Sequence, residues 1–169
     1  FKNGALVLSW GAPTTGTLSI AQYEVREGAT WTTGTTLGFA TDRSYSIPVS
    51  WTSSKTFWVA AINVAGAYGN AGSVTVSYSK YNAVGNLNAK IVQADTVLTW
   101  DVAQGGSLPI DYYDVRYGND WSSGEIIGRV KATTITVPIT WLGSRKIWVA
   151  AVDTNGQFGT ETGVTVTSA

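Results

Sequence analysis

Apolar and polar residues alternate with a period of two along short stretches of this chain. The alternation is clear at residues 6–10, 23–25 and 57–61. Such a period is typical of β-strands that bury one face, and we find no convincing apolar stripe with helical spacing. Turn-forming residues separate the stretches, for example at 11–13 and 63–66. The pattern predicts an all-β fold.

Two copies of one sequence unit follow each other at an offset of 90 residues (100 − 10 = 90 for the first tryptophan pair). The alignment of Ala5–Val76 needs no gap, and Tyr-Glu-Val-Arg at 23–26 matches Tyr-Asp-Val-Arg at 113–116. Short strands in a unit of this length are typical of a β-sandwich. We therefore predict two tandem immunoglobulin-like β-sandwiches, in residues 1–80 and 83–169. The eight tryptophans form the pairs Trp10 and Trp100, Trp31 and Trp121, Trp51 and Trp141, and Trp58 and Trp148.

The two units differ at their beginnings. Residues 84–92 have the pattern of a first strand of the second unit, and the matching segment would lie before Phe1. Since an uncovered sheet edge exposes unpaired backbone groups, we expect the first unit to lack its first strand in this fragment and to be supported by upstream residues or a neighbouring subunit. The connection at 77–82 is short and aromatic, so we expect it to be stiff. The other strands of the second unit are predicted at 96–101, 112–117, 126–130, 133–138, 146–153 and 163–167.

Composition excludes several classes of function. The formal net charge is zero, so the chain lacks the positive field that attracts nucleic acids and anionic membranes. Cys and His are both absent, which removes disulfides, thiolate metal sites and the most common general base. No stretch approaches the ~20 apolar residues that span a bilayer, and no signal peptide is visible. We predict no cofactor, no metal, no nucleic acid and no membrane insertion, and the absence of Met indicates a fragment.

The carboxylates do not suggest a catalytic site. They are scattered along the chain, and only Glu24 with Asp114 and Asn63 with Asp153 show approximate repeat symmetry. Nothing in the sequence places two of them across a pocket, as sugar hydrolysis would require. The segment at 153–156 has some likeness to a calcium loop, but it lacks the further acidic ligands and is better interpreted as a hairpin turn. We therefore predict that the chain is not an enzyme.

The parity of neighbouring strands predicts a surface cluster of arginine and tryptophan in each unit. If Tyr23 points inward, Arg26 on the same strand points outward and lies across Trp58. Trp31 can fold back onto the same patch, and a guanidinium stacked on indoles contributes about 0.5–2 kcal/mol. A structural role is favoured, and a sugar-stacking platform is the alternative. The predicted cluster residues are Arg26, Trp31 and Trp58 in the first unit and Arg116, Trp121 and Trp148 in the second.

Five aromatic residues are candidates for contacts that only one unit makes. Three of them have no aromatic partner at the offset of 90, and two belong to the connection between the units. Aromatic residues are enriched at interfaces, although each of these could equally pack locally. The candidates are Phe39, Tyr78, Tyr81, Tyr112 and Tyr117.

Several residues resemble the fibronectin type III fold. Trp10 lies on the second strand, Tyr-x-Val on the third, and Val-x-Ala precedes an Asn/Asp-x-x-Gly turn. One departure is that Lys55 and Arg145 stand where that fold usually has its corner tyrosine. The resemblance implies two fibronectin type III sandwiches.

Two longer motifs are similar to modules of bacteriophage tail-tip and central-fibre proteins, which determine host specificity. They are Tyr-x-Val-Arg-x-Gly-x-x-Trp-x-x-Gly, at 23–34 and 113–124, and Pro-x-x-Trp, at 48–51 and 138–141. The resemblance implies a structural spacer and interaction segment that supports host attachment, extracellular and within the virion tail. Its implied partners are other tail-tip proteins and copies of itself, in a homo-oligomer such as a trimer. Two alternatives stay open: a module that binds a host-surface glycan or protein, and an accessory module of a secreted bacterial polysaccharide hydrolase.

Overall fold

This computed structural model describes residues 1–168. They contain thirteen β-strands and no helix. The chain divides into two units, Phe1–Tyr78 and Ser79–Ala169. The strands of the first unit are β1 (Ala5–Ser9), β2 (Ile20–Glu27), β3 (Thr35–Ala40), β4 (Ser44–Pro48), β5 (Lys55–Asn63) and β6 (Gly72–Val76). Those of the second are β7 (Asn88–Val92), β8 (Asp95–Thr99), β9 (Ile110–Tyr117), β10 (Glu125–Val130), β11 (Thr134–Pro138), β12 (Gly143–Asp153) and β13 (Thr162–Ser168).

The second unit is a sandwich of two antiparallel sheets. One sheet has the strand order β11-β8-β7 and the other β10-β9-β12-β13. Alternate residues Ile147, Val149 and Ala151 of β12 belong to the core cluster, as the period of two predicts. Ala150 and Val152 between them are fully buried as well. Trp100 and Tyr113 meet edge to face across the core, with their ring centroids 5.4 Å apart.

The first unit repeats this arrangement with one strand fewer. Its sheets have the orders β1-β4 and β3-β2-β5-β6, so the strand that would correspond to β7 is represented only by a bridge between Lys2 and Ala5. Trp10 and Tyr23 repeat the edge-to-face pair of the second unit, with centroids 5.3 Å apart. The prediction of an all-β fold with two fibronectin type III-like sandwiches is confirmed.

Two local predictions have different outcomes. The first strand of the second unit begins at Asn88 and not at residue 84, because Asn86 has a positive φ of 49° that ends the extended conformation. Residues 153–156 form the predicted hairpin turn, in which the Asp153 carboxylate accepts hydrogen bonds from the backbone N–H groups of Asn155 and Gln157. Residues 1–168 contain no helix of the length and apolarity needed to cross a membrane.

Candidate functional site

The loop between β2 and β3 brings a tryptophan back onto the arginine that precedes it. Arg26 lies over the Trp31 ring, with its guanidinium carbon 4.1 Å from the ring centroid, and its Nη1 donates to the Trp31 carbonyl over 3.0 Å. A Cβ on Gly28 would lie 2.6 Å from the Gly34 Cα, so only glycine allows the two ends of this loop to meet. The glycine spacing of the motif therefore positions the indole.

A buried carboxylate lies beneath this arginine in the first unit. Glu24 accepts hydrogen bonds from Arg26 Nε over 2.7 Å, from Thr36 Oγ1 over 2.5 Å and from the Tyr68 hydroxyl over 2.5 Å. Burial alone would raise the pKa of Glu24, but these three hydrogen bonds and the charge of Arg26 hold it at about 2. The hydrogen bond from Tyr68 to Glu24 is the main reason why the pKa of the Tyr68 hydroxyl is raised.

The second unit builds the same cluster around Asp114 with different partners. Arg116 lies over Trp121 at 4.1 Å and donates to the fully buried Asp114 carboxylate through Nη2 over 2.9 Å. A second cation, Arg129, donates to the other carboxylate oxygen over 3.3 Å. Phe158 replaces the tyrosine of the first unit and packs under the Arg116 guanidinium at 5.3 Å. Sequence reasoning missed both carboxylates because strand parity placed them on the outer face.

Trp58 and Trp148 close the base of the loop. The Trp58 indole N–H donates to the Gly28 carbonyl over 2.9 Å, and that of Trp148 donates to the Gly118 carbonyl over 3.1 Å. In the second unit the Lys146 ammonium also lies 4.0 Å from the Trp148 ring centroid. The arginines therefore stack on Trp31 and Trp121, while Trp58 and Trp148 hold the loops by hydrogen bonds.

The five unit-specific aromatics have different surroundings. Phe39 has 52% of its surface exposed, and Tyr78 is half-buried. Tyr112 and Tyr117 each lie near an arginine of their own unit, with guanidinium carbon to ring centroid distances of 5.3 and 5.8 Å. The Tyr81 hydroxyl donates over 2.6 Å to a backbone carbonyl of the second unit, so this residue packs locally.

An apolar groove opens along the first unit, on the side where β7 lies in the second. Its volume is about 820 Å³, within the range of ligand-binding clefts. The sequence signal for it is the missing first strand. The groove is lined by apolar residues of both sheets and of the segment between β1 and β2, among them Trp10, Leu18, Tyr23, Val59, Ala61 and Val74.

Comparisons with known proteins give similarity at the level of solved structures. No protein-family model and no curated protein matches the chain. The chain is similar to a two fibronectin type III domain segment of chicken tenascin, with 11% identity, a TM-score of 0.49, and coverage of 98% of this chain and 93% of that one. It is also similar to the spore cortex lytic enzyme SleM of Clostridium perfringens, with 23% identity and a TM-score of 0.44 over 52% of this chain and 28% of the SleM chain. The fold assignment rests on the strand order and not on these similarities.

Proposed function

We propose that this chain is a structural spacer and interaction segment of a phage tail-tip or central-fibre protein, without catalysis of its own. The observation that carries the proposal is the internal use of the motif residues in both units. The arginine of each motif neutralises a buried carboxylate and covers the tryptophan of the same motif at 4.1 Å. Because these arginine and tryptophan side chains already hold the loop, they favour a structural role over ligand binding.

The phage context is supported by the motifs at 23–34 and 113–124, which both units carry complete. As a spacer, the chain lies outside the host cell in the virion tail, with other tail-tip proteins and copies of itself as partners. Recovery of the parent gene tests this assignment. We expect neighbouring genes for tail structural proteins, and a catalytic domain in the same reading frame would instead assign the chain to a secreted hydrolase.

A second candidate function is glycan or receptor binding, and one surface favours it. Phe39 is exposed beside a shallow polar depression formed with Gln22, Thr41 and Asp42, and exposed aromatics flanked by polar groups suit sugar rings. Arg129 takes this position in the second unit, so the surface belongs to the first unit alone.

A glycan array probed with the whole chain distinguishes the two functions. A spacer gives no signal above background, which is the result we expect. Binding that Phe39→Arg abolishes, and that Arg129→Phe leaves unchanged, would support the binding function and overturn the spacer assignment. Phe39→Arg is a matched variant because the second unit already holds arginine there.

A further inference from the structure

The groove of the first unit corresponds to a filled space in the second. Ser79–Leu87 runs over that space without forming a strand, and its side chains Tyr81 and Val84 pack into the core of the second unit. Four backbone hydrogen bonds hold the segment. Asn82 N–H donates to the Gln104 carbonyl over 2.8 Å, and three residues donate to carbonyls of the segment: Ser107 N–H to Ser79 over 3.0 Å, Asp101 N–H to Gly85 over 2.9 Å, and Thr160 N–H to Tyr81 over 2.9 Å. Residues 79–87 belong to no sheet, and we call this segment the cover.

The cover accounts for the burial of the residues beneath it. Leu108 is 2% exposed, whereas the matching Leu18 of the first unit is 51% exposed. Val149 is fully buried, whereas the matching Val59 is only half-buried. The side chains are identical in both pairs, so the difference comes from what lies above them.

Two glycines indicate what kind of side chain the groove accepts. In the second unit, a Cβ on Gly106 would lie 2.4 Å from the Tyr81 ring, and a Cβ on Gly159 would lie 2.8 Å from the Tyr81 Cβ. Both positions must be glycine because an aromatic residue lies against them. The first unit has glycine at the same two places, Gly16 and Gly69, although no ring lies on them there. Gly16 has a φ of 118°, which by itself favours glycine and which Gly106 does not share. Gly69 has no positive φ, so it is the position that leaves room for an aromatic side chain in the groove.

The backbone at the edge of β1 indicates how a segment that covers the groove would reach it. Lys2 and Ala5 exchange two hydrogen bonds, of 2.8 and 3.0 Å, in the position where Val92 pairs with Asp95 in the second unit. The first residue of the turn has a similar φ in both units, 52° at Asn3 and 56° at the matching Gln93, whereas the second residue differs, because Gly4 has a φ of 79° and the matching Ala94 has no positive φ. A polypeptide joined to Phe1 is thus already aligned along the edge that β7 occupies in the second unit.

We propose that this groove is a docking site for an extended segment of the polypeptide joined to Phe1, which carries an aromatic side chain and an aliphatic one three residues later. Phe1 matches residue 91, so the aromatic residue stands ten positions before Phe1 (91 − 81 = 10) and the aliphatic one seven (91 − 84 = 7). The aromatic ring packs against Gly16 and Gly69. The aliphatic side chain covers the apolar floor as Val84 does in the second unit.

The chain itself supplies the probe for a test. A copy of residues 79–90, Ser-Lys-Tyr-Asn-Ala-Val-Gly-Asn-Leu-Asn-Ala-Lys, is fused directly before Phe1 of the whole chain, which preserves the offset of 90. The matched control is the same fusion with serine in place of its tyrosine and its valine. Hydrogen exchange assigns protection to each unit, and thermal unfolding and binding of an apolar dye report on the groove.

We expect the tyrosine-valine fusion to raise the unfolding midpoint of the first unit by about 5 °C or more. We also expect it to slow amide exchange around Val59 at least tenfold and to displace the dye, while the serine control does none of these. Equal effects of both fusions, or no effect of either, would overturn the proposal. A small apolar ligand that stays bound in the tyrosine-valine fusion would also overturn it, because the ligand would then be the occupant of the groove. A dimer of the unextended chain that this fusion dissociates would overturn it as well, because a second copy would then be the occupant.

Discussion

The two units share every strand except β7, and they differ in how far their sheets are covered. In the second unit the segment that contains Tyr81 closes the sandwich, and the core residues beneath it are fully buried. In the first unit the sheets form without a counterpart of β7 and leave an open groove of about 820 Å³. The difference shows that pairing of the strands does not depend on the cover, whereas burial of the core does.

A matched pair of leucines measures the contribution of the cover. Leu108→Ala should reduce the free energy of unfolding of the second unit by about 2–5 kcal/mol, because it leaves a cavity in place of a buried side chain. Leu18→Ala should cost the first unit less than about 0.5 kcal/mol, because the side chain is 51% exposed. Denaturant unfolding, with hydrogen exchange to identify the unit, gives both values. Similar costs in the two units would contradict the comparison.

The stability of the first unit should also depend on pH. The pKa of Glu24 falls from 4.5 to about 2 on folding, so its ionised form stabilises the first unit by roughly 3 kcal/mol above pH 4.5. That stabilisation is lost as the pH falls from 4.5 towards 2. Unfolding measured between pH 6 and pH 2 should show this loss in the wild-type chain. Glu24→Gln should remove it and also lower the stability at neutral pH, and an unchanged acid profile would contradict the role of Glu24.

The glycines against Tyr81 give a smaller effect. Gly159→Ala should destabilise the second unit by about 1–3 kcal/mol, because the new Cβ would lie 2.8 Å from both the Cβ and the carbonyl oxygen of Tyr81. Gly69→Ala should change the first unit by less than about 0.5 kcal/mol, because its nearest neighbour is a carbonyl oxygen 3.8 Å away. Thermal unfolding of the two variants measures the contrast. In the chain extended before Phe1, Gly69→Ala should become as costly as Gly159→Ala.

The sequence predicts the parts of this structure that depend on local pattern. Alternation and the offset of 90 predict the strands and the repeat, and the position of Trp31 just beyond Gly28 predicts that it can fold back onto the patch of Arg26. Glu24 escapes prediction because strand parity places it outward, while residues of β3 and of the turn after β5 cover it. The role of Tyr81 escapes for a similar reason, since two glycines far from it in sequence shape its site. When loops distant in sequence bury a side chain, the burial leaves no periodic pattern in the sequence around that residue.

The smallest effect we expect concerns a hydroxyl group that the first cluster has and the second lacks. Tyr68 donates to Glu24 over 2.5 Å, and phenylalanine takes its place in the second unit. Tyr68→Phe should cost the first unit about 1 kcal/mol, at the low end for a hydrogen bond to a charged group because the ring is half exposed. It should also raise the pKa of Glu24, so that the stability of the first unit is lost at a higher pH.

The reverse change in the second unit, Phe158→Tyr, should have almost no effect on stability, since two arginines already donate to Asp114. Denaturant unfolding at pH 7 and pH 3 tests both variants, and a larger cost for Phe158→Tyr than for Tyr68→Phe would show that the hydroxyl does not stabilise the carboxylate.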